Sequence, residues 1–224
     1  NSHGHGTNRP TFTYTTANTA SIVIDVAGTT LYNLRFVANF LSVATLIDVA
    51  AVAGTGVYNC KFEDSSSTLN WVKCVDFADG ASDIHIVGNK AVGTGVTSGA
   101  FVNQAGADTD DVEYSGNVVT YQAVMTAEQA AFHVAGGLQN LRMFNNYVTN
   151  QEADASPDGG GLYTTGQTDN TGVVAFNYLG HLDEAWAATE DPFEALGCSL
   201  FECQAADASK DVSGNYTPVV DTAT

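Results

Sequence analysis

A short pattern that returns at a near-constant interval constrains this chain more than any other feature. Its clearest copy is Asp111-Val-Glu-Tyr-Ser-Gly-Asn117-Val-Val119, in which apolar and polar residues alternate, two small or polar residues follow, and an asparagine precedes a second apolar run. The pattern recurs as Ile84-His-Ile86-Val-Gly-Asn89-Lys-Ala91 and as Leu141-Arg-Met143-Phe-Asn-Asn146-Tyr-Val148. Looser copies are Gly172-Val-Val174-Ala-Phe-Asn177-Tyr-Leu179, Thr55-Gly-Val57-Tyr-Asn-Cys60-Lys-Phe62 and Thr29-Thr-Leu31-Tyr-Asn-Leu34-Arg-Phe36. A seventh, weak copy is Gly197-Cys-Ser199-Leu-Phe-Glu202-Cys-Gln204. With the asparagine as register mark, Leu34, Cys60, Asn89, Asn117, Asn146 and Asn177 lie 26, 29, 28, 29 and 31 residues apart. Intervals of that size mark a stacked-repeat protein.

Each period holds a second short apolar run, such as Ile22-Val-Ile24, Leu46-Ile-Asp-Val49, Trp71-Val72, Phe101-Val102, Phe132-His-Val134 and Leu162-Tyr163. Gly, Ser, Asp and Thr separate the runs. Alternation predicts strands with one face buried. Strands this short cannot bury a face alone, so they stack on the copies above and below, and the predicted architecture is an all-β parallel β-helix of about seven coils. Helical periodicity is confined to Thr126 to Val134 and Leu182 to Leu196, read as short helical insertions. Residues 1–19 read as an extended arm, 20–204 as the coil stack, and 205–224 as a cap or arm over the last coil, where exposed strand edges need cover. The asparagines Asn89, Asn117, Asn146 and Asn177 are read as a corner ladder. Asn tolerates the left-handed conformation that a sharp corner needs, and stacked amides can hydrogen-bond to one another and to backbone.

Charge excludes several functions. Seven Lys plus Arg against 25 Asp plus Glu leave a formal charge of −18. Nucleic acid binding needs cationic contacts to phosphate, and an anionic membrane repels such a surface, so neither partner is expected. No stretch approaches the 18 apolar residues that span a bilayer. The chain begins at Asn1 without a signal peptide, which reads as a processed or truncated start. The cysteines fall as Cys60 with Cys74 and Cys198 with Cys203, without zinc-ligand spacing. Cys60 occupies a ladder position, where a small buried thiol is the simplest reading, and the disulfide state stays open.

Chemistry-bearing residues are few. His85, Glu113 and Arg142 hold the same outward position in three copies and should form a vertical row. The row reads as a solvated cross-strand charge ladder or as an acid/base and cation cluster on a sheet face, and its single carboxylate favours the ladder. Acidic clusters at Asp108-Thr-Asp110-Asp111, at Glu152, Asp154 and Asp158, and at Asp183-Glu184 match no calcium-loop pattern. His3-Gly-His5 reads as part of a flexible arm, and Gly93-Thr-Gly95 and Gly159-Gly-Gly161 lack the lysine and helix of a phosphate loop. No catalytic, cofactor or metal site is expected.

At these repeats the chain resembles right-handed parallel β-helix proteins of the pectate-lyase-like class. Arg9-Pro10-Thr-Phe-Thr, Leu31-Tyr-Asn-Leu-Arg-Phe36, Ala44-Thr-Leu-Ile-Asp-Val49 and Phe176-Asn-Tyr-Leu-Gly-His-Leu-Asp183 look like phage-encoded, virion-associated β-helix proteins. The resemblance implies a right-handed coil and a non-enzymatic virion structural protein: a homotrimeric capsid decoration or surface spike that contacts the major capsid protein. The calcium-binding and catalytic residues of the polysaccharide-cleaving members cannot be placed on this sequence. The alternatives are a tailspike-like β-helix that binds or cleaves polysaccharide near His85, Glu113 and Arg142, and a cell-surface adhesion module. A virion-surface or extracellular location is expected.

Overall fold

Short alternating strands can bury one face only by stacking, and the computed structural model stacks them as a parallel β-solenoid. It describes residues 9–95, 97–104, 109–122, 131–134, 137–150, 162–164, 170–181, 193–194, 199–201, 204–205 and 219–220. The chain visits three sheets in rotation. The first sheet contains Thr11–Tyr14, Arg35–Ala38, Lys61–Asp64, Lys90–Gly93, Val118–Tyr121, Tyr147–Asn150, Tyr178–His181 and Gln204–Ala205. The second contains Ile22–Ile24, Val43–Val49, Trp71–Phe77, Val102–Gln104, Phe132–Val134, Leu162–Thr164 and Phe193–Glu194. The third contains Thr30–Tyr32, Gly56–Tyr58, Ile84–Val87, Val112–Ser115, Leu141–Phe144, Gly172–Ala175 and Ser199–Phe201. These strands pair in parallel with their counterparts one turn away, as Lys90–Gly93 does with Val118–Tyr121. Val219–Val220 instead pairs antiparallel with Ser199–Leu200.

About five turns of all-β solenoid are defined, against the about seven coils expected. The remaining copies fall where the structure describes little beyond single strands. No helix occurs among the described residues. Within the two stretches of helical periodicity, Phe132–Val134 and Phe193–Glu194 are second-sheet strands. Most other residues of those stretches lie outside the described set, as do His3, His5, Cys198, Cys203 and the acidic positions Asp108, Glu152, Asp154, Asp158, Asp183 and Glu184.

The alternating pattern sorts side chains as the pleat requires. In the strand Ile84–Val87 the two isoleucines are buried, while His85 and Val87 lie on the outer face. Aromatic residues occupy the interior along the axis. Phe36 stacks on Phe62 at 5.0 Å, and Phe12 lies on Phe36 at 5.7 Å. In the next turn the first-sheet position holds Ala91, and Phe101 of that turn fills the space, meeting Phe62 edge-on at 5.7 Å. Phe132 continues the column at 5.6 Å from Phe101. A small residue on one strand thus admits a large one from another, which keeps the interior close-packed.

The corner between the third and first sheets carries the asparagines. Asn89, Asn117, Asn146 and Asn177 are buried, one above another. Each side-chain oxygen serves the turn before: Asn117 Oδ1 accepts from Asn89 N and Asn89 Nδ2, both at 3.0 Å, and Asn146 Oδ1 accepts from Asn117 N at 3.0 Å and Asn117 Nδ2 at 2.8 Å. Asn177 Oδ1 does the same for Asn146, at 2.9 and 2.8 Å. Each Nδ2 also donates to a third-sheet carbonyl one turn back, as Asn117 does to Ile86 at 2.7 Å. Cys60 ends the series: its amide donates to Asn89 Oδ1 at 2.8 Å.

The left-handed residue at this corner is not the ladder asparagine, contrary to the sequence reading. It is the residue just before: Asn33, Asn59, Gly88, Gly116, Asn145 and Phe176, with φ between 50° and 67°. A second left-handed series opens the third-sheet strands at Gly28, Gly54, Asp83, Asp111 and Asn140. The strand is therefore bracketed by two reversals of backbone curvature, and the ladder asparagine has a separate task, satisfying buried backbone groups.

Candidate functional site

The predicted row exists on the outer face of the third sheet. His85 pairs in register with Glu113, and Glu113 with Arg142. His85 Nδ1 lies 3.2 Å from Glu113 Oε2, and its Nε2 lies 3.0 Å from Asp83 Oδ1. Both ring nitrogens thus face carboxylates, which accept and cannot donate when ionised. Ser115 Oγ donates to Glu113 Oε1 at 2.8 Å, while the Arg142 guanidinium stands 3.9 Å from Glu113 Oε2. That last separation is an ion pair and not a hydrogen bond. Partial burial would raise the Glu113 carboxyl, but the Ser115 and His85 hydrogen bonds and the nearby Arg142 and His85 outweigh it, leaving it below the ordinary range.

Three members of this cluster were not singled out in the sequence. Asp83 is the left-handed residue just before the His85 strand, and its carboxylate meets His85 Nε2. Tyr58 lies with its ring 6.4 Å from the His85 ring, at an interplanar angle of 21°. This arrangement depends on Gly56, the register partner of His85. A Cβ at Gly56 would fall 2.2 Å from Tyr58 Cε2, so the missing side chain is what lets the tyrosine fold back over its own strand. Burial, then the charges of Glu113 and Asp83, push the Tyr58 hydroxyl up. The usable signal was the glycine standing where the next three copies carry His85, Glu113 and Arg142.

Two other rows also carry polar chemistry. On the first sheet, Glu63 accepts from both Arg35 and Lys61; burial would raise its carboxyl, but the hydrogen bonds and charges of these two cations together outweigh it and leave it below the ordinary range. On the second sheet, Asp76, Asn103 and His133 are register partners on successive strands. Lys73 Nζ contacts Asp76 Oδ2 at 2.8 Å, Asn103 Nδ2 donates to Asp76 Oδ1 at 2.6 Å, and Asn103 Oδ1 meets His133 Nδ1 at 2.8 Å. Because the amide nitrogen faces Asp76, its oxygen accepts, and His133 Nδ1 carries the hydrogen.

Buried polar groups are mostly structural. Asp64 accepts from Trp71 N at 2.8 Å, Thr94 N at 2.6 Å, Gly95 N at 3.2 Å and Ser98 Oγ at 2.7 Å. Burial raises its carboxyl, although these donors pull the other way. The thiols of Cys60 and Cys74 are free and buried, and burial pushes both up, away from the reactive thiolate. Among the described residues no group of three or more His, Cys, Asp or Glu has the geometry to hold a metal ion.

In chemical terms the third-sheet row offers an ionised carboxylate, an imidazole between two acids, a half-exposed guanidinium and a phenol. These groups bind one another, which makes a rigid polar ladder. No family model, curated protein or solved structure matches this chain. The class defined by the fold is the parallel β-solenoid.

Proposed function

We propose that this chain is a non-catalytic structural protein of a particle surface. In this reading it is a right-handed parallel β-helix that associates as a homotrimer and decorates or projects from a phage capsid, in contact with the major capsid protein. The observation that carries the proposal is the internal commitment of its polar groups. The buried amides satisfy backbone from turn to turn, Glu63 closes on Arg35 and Lys61, and His85 closes on Asp83 and Glu113. A surface whose charges pair along the axis stiffens a spacer, whereas a catalyst needs groups turned toward a substrate. Right-handed coiling is supported by the strong preference for that hand in parallel strand-crossover-strand units. The virion assignment rests on the resemblance carried by Leu31 to Phe36, Ala44 to Val49 and Phe176 to Asp183. Imaging the native assembly, together with light scattering on the purified chain, tests the reading: the expected result is a trimer on a capsid. A monomer with no particle association would overturn it.

A second reading is favoured by one observation, that Glu113 is held ionised beside an imidazole and a guanidinium in a partly exposed row. In this reading the third-sheet face binds or cleaves polysaccharide. Incubation with acidic and neutral polysaccharides, assayed for reducing ends and unsaturated products, separates the two. Activity that disappears in Glu113→Gln establishes this second reading, and no turnover on either class removes cleavage.

A further inference from the structure

We infer that Lys73 and Asn103 join through an isopeptide bond, with Asp76 carrying the protons, so that two neighbouring turns of the second sheet become covalently linked. The inference is independent of the particle and polysaccharide readings, because the reaction lies within the chain itself.

The three groups meet because two strands lie in register. Asp76 and Asn103 are partners on Trp71–Phe77 and Val102–Gln104, and Lys73 stands three residues before Asp76. Asp76 divides its carboxylate between the other two: Oδ2 takes Lys73 Nζ at 2.8 Å, and Oδ1 takes Asn103 Nδ2 at 2.6 Å. One acid therefore holds both the attacking amine and the leaving nitrogen. The far side of the carboxamide is engaged as well, since His133 Nδ1 donates to Asn103 Oδ1 at 2.8 Å. An N–H on that oxygen stabilises the charge it gains when the carbon is attacked. Asn103 is only 5% exposed, which keeps water away from the carbon. The Lys73 side chain is 26% exposed, and its flexible four-carbon stem swings the amine from the carboxylate to the amide.

An ion pair alone does not account for this arrangement. Glu63 shows the ordinary form in the same chain, closing on two cations, Arg35 and Lys61. At Asp76 one oxygen holds a cation and the other holds an amide that a histidine polarises.

The reaction needs nothing from outside. Asp76 takes a proton from the Lys73 ammonium, and the freed lone pair forms a bond to Asn103 Cγ while the carbonyl π electrons move onto Oδ1, beside the His133 N–H. As those electrons return, the Cγ–Nδ2 bond breaks and Asp76 delivers protons to the departing nitrogen. Two protons pass in all from Nζ to that nitrogen, so ammonium leaves and a secondary amide remains. Asp76 ends as a carboxylate, and no atom is oxidised or reduced. Holding both reactants on one acid is what makes an otherwise slow amide exchange accessible. The product closes the chain from residue 73 to residue 103 and so turns one whole coil into a ring.

Mass spectrometry of the purified full chain, incubated at neutral pH, tests this, with Lys73→Arg and Asp76→Asn as variants. Lys73→Arg keeps the ion pair and removes the nucleophilic amine, and Asp76→Asn keeps the shape and removes the proton carrier. The parent is expected to be lighter than its sequence by one ammonia. Trypsin should fail to cut after Lys73 and should release a branched peptide joining that residue to Asn103. Both variants, with circular dichroism matching the parent, should keep the full mass and give separate peptides. A parent of full sequence mass overturns the inference, as does loss of ammonia without a branched peptide, which a succinimide would give. A branched peptide that persists in Asp76→Asn overturns the role assigned to Asp76.

Discussion

Tyr114 lies fully buried, its ring stacked on Phe132 at 5.1 Å, and its hydroxyl has no hydrogen-bond partner. Burial accordingly pushes the phenol far up. An unsatisfied buried hydroxyl costs about 1–3 kcal/mol. Tyr114→Phe keeps the ring and removes the cost, so we expect urea unfolding to show a gain of about 1 kcal/mol. The carboxylates behave in opposite senses. Glu113 is held below the ordinary glutamate range, so its ionisation stabilises the fold above the unfolded value, and that stability is lost as pH falls through the folded one. Asp64 is raised, so it favours the neutral form when folded, and the fold loses stability as pH rises from the unfolded value toward the folded one. A carboxyl-carbon NMR titration should find Glu113 titrating below, and Asp64 above, free glutamate and aspartate respectively. Both moving the same way would refute this account.

An element here is a corner repeated along the axis, and its strength is shared between turns. Removing the Asn117 side chain strands Asn89 N, leaves Asn89 Nδ2 with only its bond to the Val57 carbonyl, and takes the Asn117 donor from the Ile86 carbonyl. Each such buried group costs about 1–3 kcal/mol, so Asn117→Ala should destabilise by about 3 kcal/mol or more. Leucine, though similar in volume, should not restore it, because the loss is of hydrogen bonds. Thermal denaturation of the two variants checks this: recovery by leucine would mean the ladder acts through packing. Cys60 shows the milder end, since its backbone N–H donates to Asn89 Oδ1 but it has no side-chain amide to serve the turn before.

At the scale of the molecule, each turn packs chiefly on the turns beside it, with a few longer reaches such as Arg9 to Asn59, so stability is close to a sum of neighbour terms. The middle turns, with Phe62, Trp71, Phe101 and Tyr114 buried, have neighbours on both sides. In the first described turn Phe12, Val23, Val26 and Tyr32 are exposed. Amide hydrogen exchange should therefore be slowest in 84–93 and 112–121 and faster in 22–32. Uniform protection along the axis would show instead that the stack opens as one unit.

The sequence determined the solenoid by itself, because a period near 28 residues with alternating apolar positions leaves short strands no way to bury a face except on their own copies. It also determined the His85, Glu113 and Arg142 row, since equal phase in the repeat means equal place on a strand. What only the tertiary structure decided lies where a side chain answers to another turn. The left-handed residue proved to be the one before the ladder asparagine, because the corner's curvature and its hydrogen bonding are separate demands that fall on adjacent residues. Asp83 and Tyr58 joined the row through a backbone reversal and a glycine's missing side chain. The relay from Asp76 through Asn103 to His133 was equally hidden, for it joins three different strands whose register only the stacking sets.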